Sequence, residues 1–283
     1  PGPHDIARYE LPNGIVLLVR ENHSSPAVVM TGFLQVGALD ESREQAGLAD
    51  FTADALMRGT TKRSFDEIYR ALEAVGASLG VSGGTHTTGF GGKSLAEDVP
   101  LMFEILSEVL REPSFPLDHV EKLRGKILAD LAERAHDTAR MANLTFYELA
   151  YPEGHPYAIS SSGYPETVSR IDRSDLVDFY EGGYGPQGMT VVVVGAVETS
   201  DIVTRLEAVL GDWEGRTYKR GPLPAVDRLP EVRGRKVMLP DKAQSNVILG
   251  YPGPPRTHPD YLDARVCNTI LGVFGLMGRL GEK

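Results

Sequence analysis

The stretch Gly47-Leu48-Ala49-Asp50-Phe51-Thr52-Ala53-Asp54-Ala55-Leu56-Met57-Arg58-Gly59-Thr60 decides how this chain is read. Leu48, Phe51 and Ala55 recur at the spacing of one helical face, so the stretch predicts an amphipathic helix. At about 100° per residue, Asp50 and Asp54 share a second stripe with Gly47 and Met57. Like charges at i and i+4 repel by about a few tenths of a kcal/mol. A helix that needed only to fold would avoid the pair, so the two acids call for another explanation.

Upstream of that helix, Gly14 to Arg20 and Ala27 to Leu34 are β-rich runs bounded by turn residues and read as strands. Helical patterns follow at 43–57, 64–76, 95–111 and 117–148, the last opening after Pro116 with Asp118 near its start. Met189 to Gly195 is a buried strand, and Ser200 to Leu210 a helix with a serine N-cap. The mixture implies an α+β fold, an antiparallel sheet flanked by helices, over residues 1–218. Residues 219–234, rich in proline and charge, read as a linker. Beyond it the opening order returns at an offset of about 218: Arg235 to Asp241 parallels Val16 to Asn22, and Asn246 to Tyr251 parallels Val28 to Phe33. Residues 235–283 are therefore expected to begin a second, similar domain, which stops too early to bury a core of its own and reads as truncated.

Composition narrows the function. With 41% hydrophobic and 24% charged residues the 283-residue chain is an ordinary globular protein, and no apolar run approaches the roughly 20 residues of a membrane span. It is expected to be soluble, with the cytoplasm and the periplasm both open. A net charge of -10 argues against a nucleic-acid backbone as partner. Cys267 stands alone, which excludes an internal disulfide or a cysteine zinc site, and its helical setting predicts a small core residue.

The order strand, acidic loop Leu39-Asp40-Glu41, then helix resembles the inverted-zinc-motif metallopeptidases, the pitrilysin family that includes the mitochondrial processing peptidase. Leu11 to Ile15, Val36 to Glu41, Glu73 to Ala77, Gly154 to Tyr157 with Gly163, and Pro186 through Gly195 agree with that family in order. In the family the helix reads G-L-A-H-F-x-E-H-x-L-F-x-G-T: two histidines bind zinc and the glutamate activates its water. Here Asp50 and Asp54 replace the histidines and Ala53 the glutamate, and an alanine cannot accept a proton, so the general base is absent. The third ligand, a glutamate on a long helix, falls on Asp130, 80 residues after Asp50. Zinc prefers nitrogen and sulfur donors at short, fixed distances. Three short aspartates on an unchanged backbone would not converge for it, although a hard divalent cation accepts oxygen and water.

The resemblance therefore implies a catalytically inactive homologue with no cofactor expected, the non-catalytic, peptide-binding subunit of a zinc metalloprotease complex. Its expected partner is a homologous subunit with an intact zinc motif, or a second copy of itself. A scaffold role, as in the core proteins of respiratory complex III, and a residual endopeptidase with aspartate ligands are the alternatives. Gly84, Thr85, His86 and Thr87 correspond to a cleft-edging strand on which an extended peptide would add. Gly83 to Ser94 ends like a phosphate loop, but Thr87 stands where that motif needs glycine. His86 and His155 have no second ligand at useful spacing and read as structural. The family's substrate-positioning arginine and tyrosine would follow Phe274 to Lys283, just past the last residue.

Overall fold

The computed structural model describes residues 2–215, 220–226, 231–272 and 278–281. Its centre is a six-stranded sheet built from β1 (Ala7–Glu10), β2 (Val16–Glu21), β3 (Ala27–Leu34), β4 (Ser78–Ser82), β5 (Thr88–Leu95) and β6 (Thr190–Gly195). The strand order is β1-β2-β6-β3-β5-β4. Every pairing is antiparallel except β2 with β6, where Val16 faces Thr190 and Glu21 faces Gly195. That parallel pair arises because β6 returns from a long helical excursion and inserts between β2 and β3.

The strands alternate as a half-buried sheet must. Val28, Met30 and Leu34 of β3 and Val191 and Val193 of β6 are buried, whereas Val29 on the opposite face is 53% exposed. The helices are α1 (Leu48–Leu56), α2 (Phe65–Ala74), α3 (Val99–Arg111), α4 (Leu117–Arg134), α5 (Thr138–Ala150), α6 (Pro165–Val168), α7 (Arg173–Gly183), α8 (Thr199–Leu210) and α9 (Tyr261–Gly272). Met102, Ile105 and Leu106 of α3 and Ile202 and Leu206 of α8 join the buried sheet face in one core. The mixed fold with helices on a sheet is the one the strand and helix patterns predicted.

Four expectations are corrected. The helix expected over 117–148 is two helices. Asp137 turns the chain out of α4 and caps α5, its carboxylate accepting from the amides of Ala139 (2.8 Å) and Arg140 (2.9 Å). Gly84 to Thr87 are not a strand but the connection from β4 to β5, and the sheet edge next to that connection belongs to β4. Ala38 and Leu39 donate to the carbonyls of Gly84 and Thr85, each at 3.0 Å, which ties the connection to the loop after β3.

The runs 235–241 and 246–251 are in no ladder, because a strand needs a partner and none faces them among the described residues. Cys267 is exposed and α9 has no buried residue, for the same lack of a sheet beneath it. The segment instead leans on α5 through Arg235–Glu148 (2.7 Å) and a hydrogen bond from Thr138 Oγ1 to Asn246 (2.6 Å). The boundary expected at residue 218 and the Phe274–Met277 part of the last segment lie outside the described residues.

Candidate functional site

Helix α1 is packed on nearly all sides. Leu48, Ala49, Phe51, Thr52, Ala53, Ala55 and Leu56 are buried, and only Asp50 and Asp54 among its nine residues keep some exposure. The two acids therefore mark the single stripe on which the helix meets the cleft. Its N-terminus is held by Glu41, whose carboxylate oxygens accept from the amides of Gly47 (2.9 Å) and Ala49 (2.7 Å). Two backbone amides thus lie where an acid is favoured by the helix dipole. Burial works against that charge and pushes the Glu41 carboxyl up to about 8.

Gly47, at φ +98°, and Gly163, at φ +72°, let the loop 160–163 close onto this helix end. A Cβ on Gly47 would stand 3.0 Å from the Gly163 Cα. That approach brings the Ser162 hydroxyl into hydrogen bonding with Asp50. On the other side Gly83 lies against Asp50, where an added Cβ would come within 2.6 Å of the Asp50 Cα.

The acids perturb one another. Burial, then the charge of Asp54, raises the Asp50 carboxyl to about 6, against the lowering effect of the Ser162 hydroxyl. Burial also raises Asp54, opposed by the nearby Lys126 ammonium and Arg58 guanidinium, with Asp130 raising it further. Asp130, exposed on the surface of α4, is thus near enough for its charge to reach Asp54 on α1. Ala53 is fully buried, so the general-base position is a packed methyl group.

These residues do not fit zinc. All three donors are carboxylates, two cationic side chains already stand beside Asp54, and the three do not bring ligand atoms within 4.8 Å of one another. Among the described residues only Glu21, His23 and Glu198 meet that distance; all three are exposed, and the Glu21 carboxylate is already engaged by the Thr199 amide and hydroxyl.

Beside the acid pair lies a cavity of about 570 Å³ walled by Thr85, His86, Arg134, Arg140, the Tyr147 and Tyr151 rings of α5 and its exit, and the segment 157–162. Ser162 belongs both to this wall and to the hydrogen bond with Asp50. Tyr157 Oη and His86 Nε2 lie 2.9 Å apart, and burial followed by the Arg220 charge lowers the imidazole pKa. Arg220 fastens the linker to this rim: Nε and Nη2 donate to the two oxygens of buried Asp40 at 2.8 and 2.6 Å, and Nη2 also reaches the His86 carbonyl.

Two family models match the chain in succession. Residues 16–153 match the model described as Insulinase (Peptidase family M16), and residues 170–281 the one described as Peptidase M16 inactive domain. The chain belongs to peptidase family M16. This M16 chain is 27% identical over 272 residues to the mouse (Mus musculus) cytochrome b-c1 complex subunit 1, mitochondrial, an alignment covering 93% of the chain and 55% of that protein. It is 27% identical over 283 residues to an uncharacterized zinc protease of Mycobacterium leprae, covering 98% and 62%. The chain thus spans somewhat more than half the length of these relatives. Its fold matches the crystal structure of a peptidase M16 inactive domain from Pseudomonas fluorescens with a TM-score of 0.71 at 21% identity, over 78% of this chain and 54% of that one.

Asp50 and Asp54 share one stripe, Ala53 lies inside, and Asp130 stands across on the next long helix. Sequence reading missed Lys126, Ser162, Glu41 and the arginine wall. The i, i+4 spacing of Lys126 and Asp130 on α4 was the available signal for the first. The other three depend on loop closure that no periodicity encodes.

Proposed function

We propose that this M16 chain is a non-catalytic, peptide-binding subunit that pairs with a homologous subunit carrying an intact zinc motif. The observation that carries the reading is Ala53. It occupies the base position fully buried, in a site whose ligand positions are all aspartate and whose free charge is met by Lys126 and Arg58. A methyl group at that position cannot activate a water. Peptide binding is supported by the free edge of β4, which can accept an extended chain as a further strand. Gly83 then lies against Asp50, and Thr85 and His86 lead on to the cavity wall.

A second reading, a structural subunit, is favoured by the similarity to a cytochrome b-c1 complex subunit over 93% of the chain. Absence of any peptide binding would select it. The test of the first reading is metal content after equilibration with zinc and removal of the excess. The chain should hold substoichiometric zinc and cleave no unfolded peptide, and the fourfold variant Asp50→His, Ala53→Glu, Asp54→His, Asp130→Glu should bind about one zinc per chain. One zinc per wild-type chain, lost in Asp50→Ala, would overturn the reading.

A further inference from the structure

The cavity beside the acid pair differs in charge from the rest of the molecule. The chain carries 39 acidic and 29 basic residues, yet among the described residues no aspartate or glutamate lines this cavity while two arginines do. Several partly buried arginines elsewhere meet carboxylates: Arg63 meets Glu104 and Glu108, Arg111 meets Asp212, and Arg220 meets Asp40. Arg134 does not. Its guanidinium donates to two neutral acceptors, Ser160 Oγ at 2.8 Å and the Gly163 carbonyl at 3.0 Å, and lies 5.8 Å from the Tyr164 ring. Glu148 and Glu166 contribute some field at Arg134, but neither forms an ion pair with it, and the Glu148 carboxylate is engaged by Arg235.

Arg140 is exposed and has no ion-pair partner among the described residues. Around these two cations the rings of Tyr147 and Tyr151 stack in parallel planes, centroids 6.1 Å apart, and Tyr157 meets Tyr151 edge-on at 5.2 Å. A desolvated guanidinium without a counter-ion is costly, and a fork of N–H donors beside phenolic hydroxyls is the donor set a carboxylate accepts from. A cavity of about 570 Å³ also exceeds what one side chain fills, so it admits a stretch of peptide.

We propose that this cavity is a specificity pocket for acidic side chains of an extended peptide, with Arg140 and Arg134 as the carboxylate receptors and the tyrosine rings as the walls. The proposal rests on the peptide-binding reading above and names the substrate class that reading leaves open.

Fluorescence anisotropy on the 283-residue chain tests it, with three labelled decapeptides that differ only in a central Glu-Glu, Gln-Gln or Lys-Lys pair. The Glu peptide should bind roughly tenfold or more tighter than the Gln peptide, one charge-assisted hydrogen bond's worth of discrimination, and the Lys peptide weakest. Arg140→Ala should erase the preference and leave the Gln peptide's affinity unchanged, and Arg140→Glu should turn the preference toward the Lys peptide. Arg140 is exposed, so both variants should keep the wild-type melting temperature, which is measured alongside. Equal affinity for the Glu and Gln peptides would overturn the pocket while leaving peptide binding in place. So would a preference that survives Arg140→Ala. Binding of none of the three would overturn both readings together.

Discussion

Substituting Asp50 by asparagine should stabilise the protein, and by an amount that grows with pH. Burial and the charge of Asp54 raise the Asp50 carboxyl from 3.8 to about 6. The fold therefore favours its neutral form. A raised folded-state pKa contributes stability that is fully present below the unfolded value and is lost as pH rises through the folded one. For Asp50 that window runs from about pH 4 to somewhat above pH 6, and stability falls across it. Two units at about 1.4 kcal/mol each give ~3 kcal/mol as the upper bound, since the side chain keeps some solvent contact.

Asparagine has the same shape and no charge. The measured quantity is the difference in urea-unfolding free energy between Asp50→Asn and the wild type, followed from pH 4 to pH 7.5. Other carboxylates, Glu41 among them, titrate in both proteins and largely cancel in the difference. The variant should gain about 2–3 kcal/mol on the wild type over that range. A difference that stays constant within about 0.5 kcal/mol would show that Asp50 ionises without penalty. The account of the acid pair would then be wrong.

Two further outcomes follow from the packing around the same site. Arg220→Ala leaves the Asp40 carboxylate, 1% exposed, with the Gly37 amide (2.8 Å) as its one remaining hydrogen-bond partner among the described residues. Stability should fall by about 3 kcal/mol, at the low end for a broken buried pair because the arginine itself is partly solvated, and residues 220–226 should become open to limited proteolysis. Gly83→Ala drives a methyl group against the Asp50 backbone. It should cost about 1–3 kcal/mol in a thermal or urea melt and move the connection that follows β4 away from α1; an unchanged melt would mean that this close approach does not exist in solution.

The fold was legible wherever periodicity was strong. The β3 and β6 runs and helices α1, α2, α3 and α8 were all readable, because each buries a face whose spacing is written in its own residues. The parallel pairing of β2 with β6 was not, since it depends on where a distant strand returns. The break at Asp137 was missed although an aspartate followed by threonine is a standard N-cap signal. The apolar periodicity continues across it, and only the cap geometry separates α4 from α5. The strands expected at 235–241 and 246–251 show the converse limit. Their pattern is strand-like, but a strand is a relation between segments, and here Val247 is 87% exposed with no strand paired to it among the described residues.

At the site, the motif gave the positions and the surroundings gave their meaning. In a zinc-bearing helix of this type the cleft-facing stripe would be neutral histidine against a doubly charged ion. Here it carries two carboxylates that burial leaves poorly solvated. Lys126 and Arg58 offset the charge of Asp54, so Asp54 is the easier of the two to ionise, and its charge then falls on Asp50. Apolar residues at both positions would remove that repulsion, but they would turn the only solvent-touching stripe of α1 into an apolar wall of the cleft. The pair is best understood as the feature that keeps this wall polar. It also sets an acidic surface beside an arginine-lined cavity, so that on the proposed peptide-binding reading a bound peptide would meet opposite charge on either side of Ser162. On this argument Asp50→Leu should stabilise α1 and sharpen the preference for the Glu peptide, because an acid that repels its carboxylates and attracts the Lys peptide would be gone. A variant that gained stability with its preference unchanged would place the whole of the selectivity on the arginines.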